Sequence, residues 1–144
     1  MTPQRVTLIT LGVDDLERSK AFYRALGWAP HPSEATEVVF YQMNGAVLGL
    51  FGRDALAKDQ GRAGATLGTG AMTLAQNFST EAEVDAAYEQ AIAAGAEALK
   101  APEKVFWGGY SGYFADPDGH VWELAMNPFW PLSDDGSLTL PAEA

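Results

Sequence analysis

Glu123 is the one carboxylate in a run of apolar, aromatic and β-branched residues, 120–126, that reads HVWELAM. Alternate side chains of a strand share a face, so Val121, Glu123 and Ala125 lie together and His120, Trp122, Leu124 and Met126 lie opposite. A carboxylate between two small apolar neighbours is either wet on an open concave surface or buried with a partner. On an open surface it could accept hydrogen bonds from a ligand or work as a general base. Nothing nearby completes a nucleophilic device. Ser111 lies between Tyr110 and Gly112 without the glycine pattern and adjacent base of a nucleophile elbow. The chain has no cysteine, which removes thiolate nucleophiles, disulfides and cysteine-ligated zinc.

The second signal is aromatic. Phe106, Trp107, Tyr110, Tyr113 and Trp122 crowd the approach to Glu123. Aromatic walls with a few polar groups suit a flat or weakly cationic small molecule. For Trp122 and Phe114, packing in the core is the expected role. Trp107 stands before Gly108-Gly109 and is expected on a flexible loop, where bulky side chains are less often core. Gln76 and Asn77 interrupt an otherwise apolar strand, so one of them is expected to face the ligand as an amide donor, or else to serve the sheet edge.

These groups need elements to hold them. Asp116-Pro117-Asp118-Gly119 is a turn with a mechanism, since proline presets φ, aspartate bonds its own backbone and glycine closes the turn. The aromatic run 110–115 and the run 120–126 on its two sides make a hairpin. Earlier, 5–13 reads as a central strand. A helix follows, with Asp14 as N-cap, Glu17 at N3, a stripe of Leu16, Ser19, Tyr23 and Leu26, and Gly27 as its stop. Residues 28–32 bend, with His31 between Pro30 and Pro32; 37–43 and 46–51 are strands about the Asn44-Gly45 turn. The polar, glycine-rich stretch 53–70 reads as a linker or lid with one helical turn at 54–58.

The pattern then repeats. A strand at 71–78 leads to a capping box, Thr80 with Glu83, and a stripe of Val84, Ala87, Ala91 and Ala94 stopped by Gly95. Leu16 is as far from Val84 as Gly27 is from Gly95, so the two helices align over their stripes without a gap. A short strand at 96–99, a crossing segment at 102–107 and the closing hairpin finish the second copy. The fold expected is α+β, a βαβββ module twice over, forming a curved mixed sheet with a concave cleft. One domain spans 1–132, with modules at 5–52 and 71–128 and a linker at 53–70. The tail 133–144 is polar, although Leu138 and Leu140 could add an edge strand.

The turn with its aromatic and glutamate-bearing strands resembles the closing hairpin of the vicinal oxygen chelate superfamily, which holds glyoxalase I, bleomycin-resistance proteins and extradiol dioxygenases. The passage 13–27, VDDLERSKAFYRALG, is similar to that family's first strand-to-helix passage. In its metal-dependent members, four His or Glu side chains line the cleft, two from each module. The resemblance puts those positions at Leu8, at Gly49 (or Leu50 if the register slips by one), at Thr73 and at Glu123. Only Glu123 is a donor of that kind, and neither His31 nor His120 replaces the others. No metal and no other cofactor is therefore expected.

The resemblance implies metal-free binding or sequestration of a small molecule, with Glu123 at the centre and Trp107, Tyr110, Tyr113, Gln76, Asn77, Thr73 and Leu8 around it. The alternatives are a glyoxalase-like lyase or isomerase using Glu123 as base or sole metal ligand, and a non-catalytic interaction domain. A homodimer is implied too. A net charge of −10 argues against nucleic acid, whose phosphates need Lys and Arg. The apolar runs are too short for a bilayer span, and 1–10 shows no secretory signal, so a cytoplasmic location is expected.

Overall fold

In the computed structural model, which describes residues 1–142, the chain falls into two units, Met1–Thr69 and Gly70 onward. The first contains β1 (Leu8–Val13), α1 (Leu16–Ala25), β2 (Val38–Gln42), β3 (Val47–Gly52) and α2 (Arg53–Asp59). Its sheet has three strands in the order β1-β3-β2, with β3 parallel to β1 and antiparallel to β2. The second contains β4 (Thr73–Phe78), α3 (Glu81–Ala93), β5 (Glu97–Lys104), β6 (Tyr110–Ala115) and β7 (Val121–Met126). Its four strands run β4-β7-β6-β5, with β4 parallel to β7 and the rest antiparallel. The fold is α+β, and the strand–helix–hairpin order is used twice.

The repeat differs at one strand. In the second unit β5 follows the helix and pairs with β6, but in the first unit only His31 stands there, its N–H donating to Phe40 O at 2.7 Å. Pro30 and Pro32 on either side have no N–H to give, so a ladder cannot extend from that bond. The expected fourth strand is reduced to one rung. The tail likewise forms no strand among the described residues, and 133–137 closes a turn through Ser133 N–H to Ser137 O. Residues 143–144 of the expected tail lie outside the described residues.

Each helix covers one face of its sheet. In the first unit Leu11, Val13, Val39, Tyr41, Leu48 and Leu50 are buried with Phe22 and Tyr23 of α1, and Tyr23 stacks on Trp28. Burial pushes the Tyr41 phenol above its ordinary pKa, against a smaller opposing pull from Arg24. In the second unit Phe114, Trp122 and Leu124 are buried with Val84 and Ala91 of α3. Phe114 and Trp122 stack with centroids 6.5 Å apart, which makes both core residues as expected.

The helix starts show how local signals compete with distant partners. Asp15, not Asp14, caps α1, its side chain accepting from Arg18 N–H at 3.1 Å. Asp14 is drawn instead to Arg53, 3.3 Å away, whose Nε also donates to Gly12 O. Glu17 consequently falls short of the capping-box position and pairs with Lys20. Thr80 caps α3 as expected, its Oγ1 accepting from Glu83 N–H, and the Glu83 carboxylate returns to the cap by accepting from the Thr80 hydroxyl.

Tyr110 ties β6 to α3, its Oη donating to Asp85 Oδ1 at 2.6 Å. That bond, then burial and the charges of Asp85 and Glu81, push its pKa up to about 12. The folded protein keeps a proton that an unfolded tyrosine releases near pH ~10. The tie is whole below that pH and is lost as pH rises through about 12. Near-ultraviolet phenolate absorbance of the folded protein should show a late-titrating component that Tyr110→Phe reduces by the share of one tyrosine. Complete tyrosine ionisation by pH ~10.5 in the folded wild type would contradict this.

Candidate functional site

The sheet face turned away from α1 in the first unit, and from α3 in the second, is the one that can meet a ligand. In the first unit alternation puts Leu8, Thr10, Phe40, Gln42, Val47 and Gly49 on it. Its far end is covered. A Cβ on Gly12, which shares this face, would stand 3.1 Å from Arg53 Cγ and 3.3 Å from Leu56 Cδ2, so α2 lies over it, and Ala57 is fully buried. The expected linker thus begins as a helix packed on the sheet. The near end stays open as a hollow of about 390 Å³ lined by Thr7, Leu8, His31, Phe40, Gln42 and Val47.

In the second unit the corresponding face carries Thr73, Ala75 and Asn77 of β4, Glu123 and Ala125 of β7, and Ser111 and Tyr113 of β6. Glu123 stands between Ala75 and Tyr113 across the strands, and Tyr113 Oη donates to Glu123 Oε2 at 3.0 Å. Burial first, and then the hydrogen bond and charge of Glu123, raise the Tyr113 pKa above its ordinary value. Tyr113 therefore holds its proton at neutral pH and acts as donor, and Glu123 as acceptor. Glu123 is neither wholly exposed nor buried. Its second oxygen can take a donor from outside.

The structure brings together four of the residues expected around the ligand: Thr73, Asn77, Tyr113 and Glu123. It separates others. Tyr110 pairs with Met126 in the ladder and points to α3, and Gln76 pairs with Leu124, so both are on the opposite face. Trp122 is opposite too, within the core. Alternation decides all three once the helix side is known, because residues an odd number apart cannot share a face. Trp107 sits at the tip of the β5–β6 connection with its ring against Gly109, and Phe106 beside it is fully exposed. The tip is closed by Val105 N–H to Gly109 O and Gly108 N–H to Val105 O, with Gly108 at φ 99. Leu8 lies in the first unit, on the open face and 45% exposed.

The two units can be superposed row by row. Thr10, Gly49 and Phe40 form one cross-strand row of the first sheet, and Ala75, Glu123 and Tyr113 form the matching row of the second. Gly49 thus occupies the place of Glu123, and Phe40 that of Tyr113. A Cβ on Gly49 would stand 3.2 Å from Phe40 Cε1 and 3.4 Å from Thr10 Oγ1. The Phe40 ring fills the space a ligating side chain would need. Leu50, the alternative position, is on the helix face and fully buried.

These residues do not fit a divalent metal. Leu8, Gly49 and Thr73 offer no imidazole or carboxylate, and among the described residues no three His, Cys, Asp or Glu side chains converge. Phe40, Gln42, Val47 and His31 line the open hollow without having stood out in the sequence. A glycine inside a strand marks close approach of another group, and Gly49 was that signal.

Comparison with known proteins agrees with this fold. Residues 5–124 match the family model described as the Glyoxalase/Bleomycin resistance protein/Dioxygenase superfamily. Among solved structures, a glyoxalase-related enzyme from Fulvimarina pelagi is similar at 45% identity and TM-score 0.89, over 97% of this chain and 100% of that one. A glyoxalase/bleomycin resistance protein/dioxygenase from Nocardioides matches at 28% identity and TM-score 0.73, over 88% of this chain and 85% of that one. A lactoylglutathione lyase from Agrobacterium tumefaciens, 24% identical with TM-score 0.68 over 92% of this chain and 100% of that one, shares the fold. No curated protein matches. No helix among the described residues is long and apolar enough to cross a membrane. With its repeated strand–helix–hairpin units and a family match over most of its length, the chain belongs to the Glyoxalase/Bleomycin resistance protein/Dioxygenase superfamily.

Proposed function

We propose that this protein binds a small molecule without the help of a metal ion, and that Glu123 receives a donor group of that molecule. The observation that carries the reading is the contrast between the matched rows. One holds a carboxylate steadied by a phenol, and the other an aromatic ring packed over glycine. The first row can accept a cationic or hydrogen-bond-donating group; the second offers apolar area. Within the second unit, Thr73 and Asn77 add polar groups on the face that carries Glu123, and Trp107 is part of the proposed ligand surface. A homodimer in the cytoplasm is part of the same reading. Exposed Phe106 and Phe129 support association, and a chain free of cysteine suits a reducing setting.

A second reading is favoured by one finding. The Fulvimarina pelagi relative, at 45% identity, is described as a glyoxalase-related enzyme. Under that reading Glu123 is a general base, or the one retained metal ligand, of a glyoxalase-like lyase or isomerase.

Metal analysis and a thermal-shift screen separate the two. Metabolites, aromatic and cationic compounds and divalent metals are tested against wild type and Glu123→Gln. A ligand at about 100 times its Kd stabilises by about 2.7 kcal/mol, a rise of several degrees in Tm. The expected result is purified protein without stoichiometric metal, and an organic compound whose Tm shift largely disappears in Glu123→Gln. Loss of a charge-assisted hydrogen bond should weaken affinity roughly tenfold or more. Stoichiometric Zn²⁺, Ni²⁺ or Fe²⁺ bound through Glu123 would favour the lyase instead.

A further inference from the structure

We infer that the hollow on the open face of the first unit is a subsite for a planar, uncharged aromatic group with a hydrogen-bond donor on its edge, gripped by Phe40 and read by Gln42. The hollow lies wholly within the first unit, and the inference goes beyond the role proposed for Glu123.

Shape comes first. The hollow, about 390 Å³, lies at the small end of ligand pockets and has room for one or two fused rings. Its extent is fixed by two packings, since α2 closes the far end of the face over Gly12 and the Phe40 ring is set by its seat on Gly49. His31 forms a side wall. Its N–H bond to Phe40 O and its two flanking prolines hold the backbone in place. Leu8 and Val47, paired across β1 and β3, supply aliphatic floor. A wall of Phe, Leu and Val rewards an apolar ring and penalises a buried charge.

Gln42 sets the polarity. It shares the open face with Phe40 and Val47, and its Nε2 donates to Met43 O at 2.9 Å and to Ala46 O at 3.3 Å. Both partners are carbonyls, so the amide cannot flip without losing them. Its donors are committed to the β2–β3 turn, and Oε1 is what it presents to a ligand. The subsite therefore selects a ring N–H or O–H over an ether or a ring acceptor.

Indole and benzofuran test this directly, since they match in shape and differ by one N–H. Ligand-observed NMR titration at millimolar concentration should give indole a Kd roughly fivefold below that of benzofuran, the size of one net hydrogen bond. Gln42→Leu should abolish the indole–benzofuran difference, because it removes the acceptor that only indole can use. Phe40→Leu should weaken both about tenfold. Should Phe40→Leu fail to fold, Leu8→Arg at its exposed position should block both probes. Equal affinities in wild type, no binding at all, or binding indifferent to Phe40→Leu and Leu8→Arg would each overturn the subsite. A Glu123-dependent ligand surviving in the thermal screen would then leave the proposed function standing. Probes that bind as described while the screen yields nothing dependent on Glu123 would instead remove the role given to Glu123.

Discussion

Gly112→Ala is expected to cost the second unit about 3 kcal/mol, as overpacking against rigid backbone does. Gly112 lies inside β6, where a side chain would ordinarily help, yet a Cβ there would come within 2.8 Å of Pro102 N and 2.9 Å of Lys100 O. The cause is the edge strand. β5 shifts register between Ala98 and Lys100 and again between Lys100 and Glu103, and the irregularity around Pro102 folds over Gly112. Proline has no N–H for the ladder, so its place at an edge irregularity is the one a sheet tolerates. The charges of Lys100, Glu103 and Lys104 along the same strand discourage pairing with another chain.

The clash is with main-chain atoms, and this gives the prediction its edge. Trimming the ring by Pro102→Ala should not rescue Gly112→Ala, because the Pro102 nitrogen and the Lys100 carbonyl remain. Denaturant midpoints for the two single variants and the double variant, at unchanged m, measure it. A loss below about 1 kcal/mol, or full rescue by Pro102→Ala, would mean that β5 yields and that the irregularity is not rigid. Tyr113 follows Gly112 directly, so the same displacement should disturb the Tyr113–Glu123 bond.

What could be read from the residues was whatever short-range chemistry decides. The capping box at Thr80 and the stops at Gly27 and Gly95 needed no knowledge of the rest of the chain. The alternation around Glu123 put the carboxylate opposite Trp122, as found. Long-range pairing defeated the reading elsewhere. Asp14 and Asp15 both suit an N-cap, and only the Arg53 side chain, returning on α2, decides between them. Tyr110 looks available to a ligand until Asp85 of α3 claims its hydroxyl.

Gly49 shows the same limit from the other side. As a sequence position it reads as a missing ligand. In the sheet it is the seat of the Phe40 ring, and an absent side chain turns out to be a present surface. A search for donors finds only what is gone. The cross-strand register is what shows Phe40 and Tyr113 to be one position used twice, once without and once with the hydroxyl that reaches a carboxylate.

Asp116→Ala should be nearly as damaging, at about 3 kcal/mol, through the turn that sets this register. Asp116 is only 3% exposed, and its Oδ1 accepts from Asp118 N–H and His120 N–H, each at 2.9 Å. Two further bonds close the loop, Asp116 N–H to His120 O and Gly119 N–H to Asp116 O, with Gly119 at φ 89. Alanine would leave the two amides facing the carboxylate without an acceptor inside a buried turn, and each is costly to strand. Asn keeps an oxygen in the same place, so Asp116→Asn should lose about 1 kcal/mol, the charge-assisted part of the bonds. The two variants also differ in what they do to the site. β6 and β7 meet at this turn, and its geometry puts Tyr113 opposite Glu123 rather than one residue away. Hydrogen exchange at the amides of 118 and 120 should rise steeply in Asp116→Ala and little in Asp116→Asn. Equal losses in the two would show that the carboxylate's charge, and not its position as an acceptor, holds the hairpin.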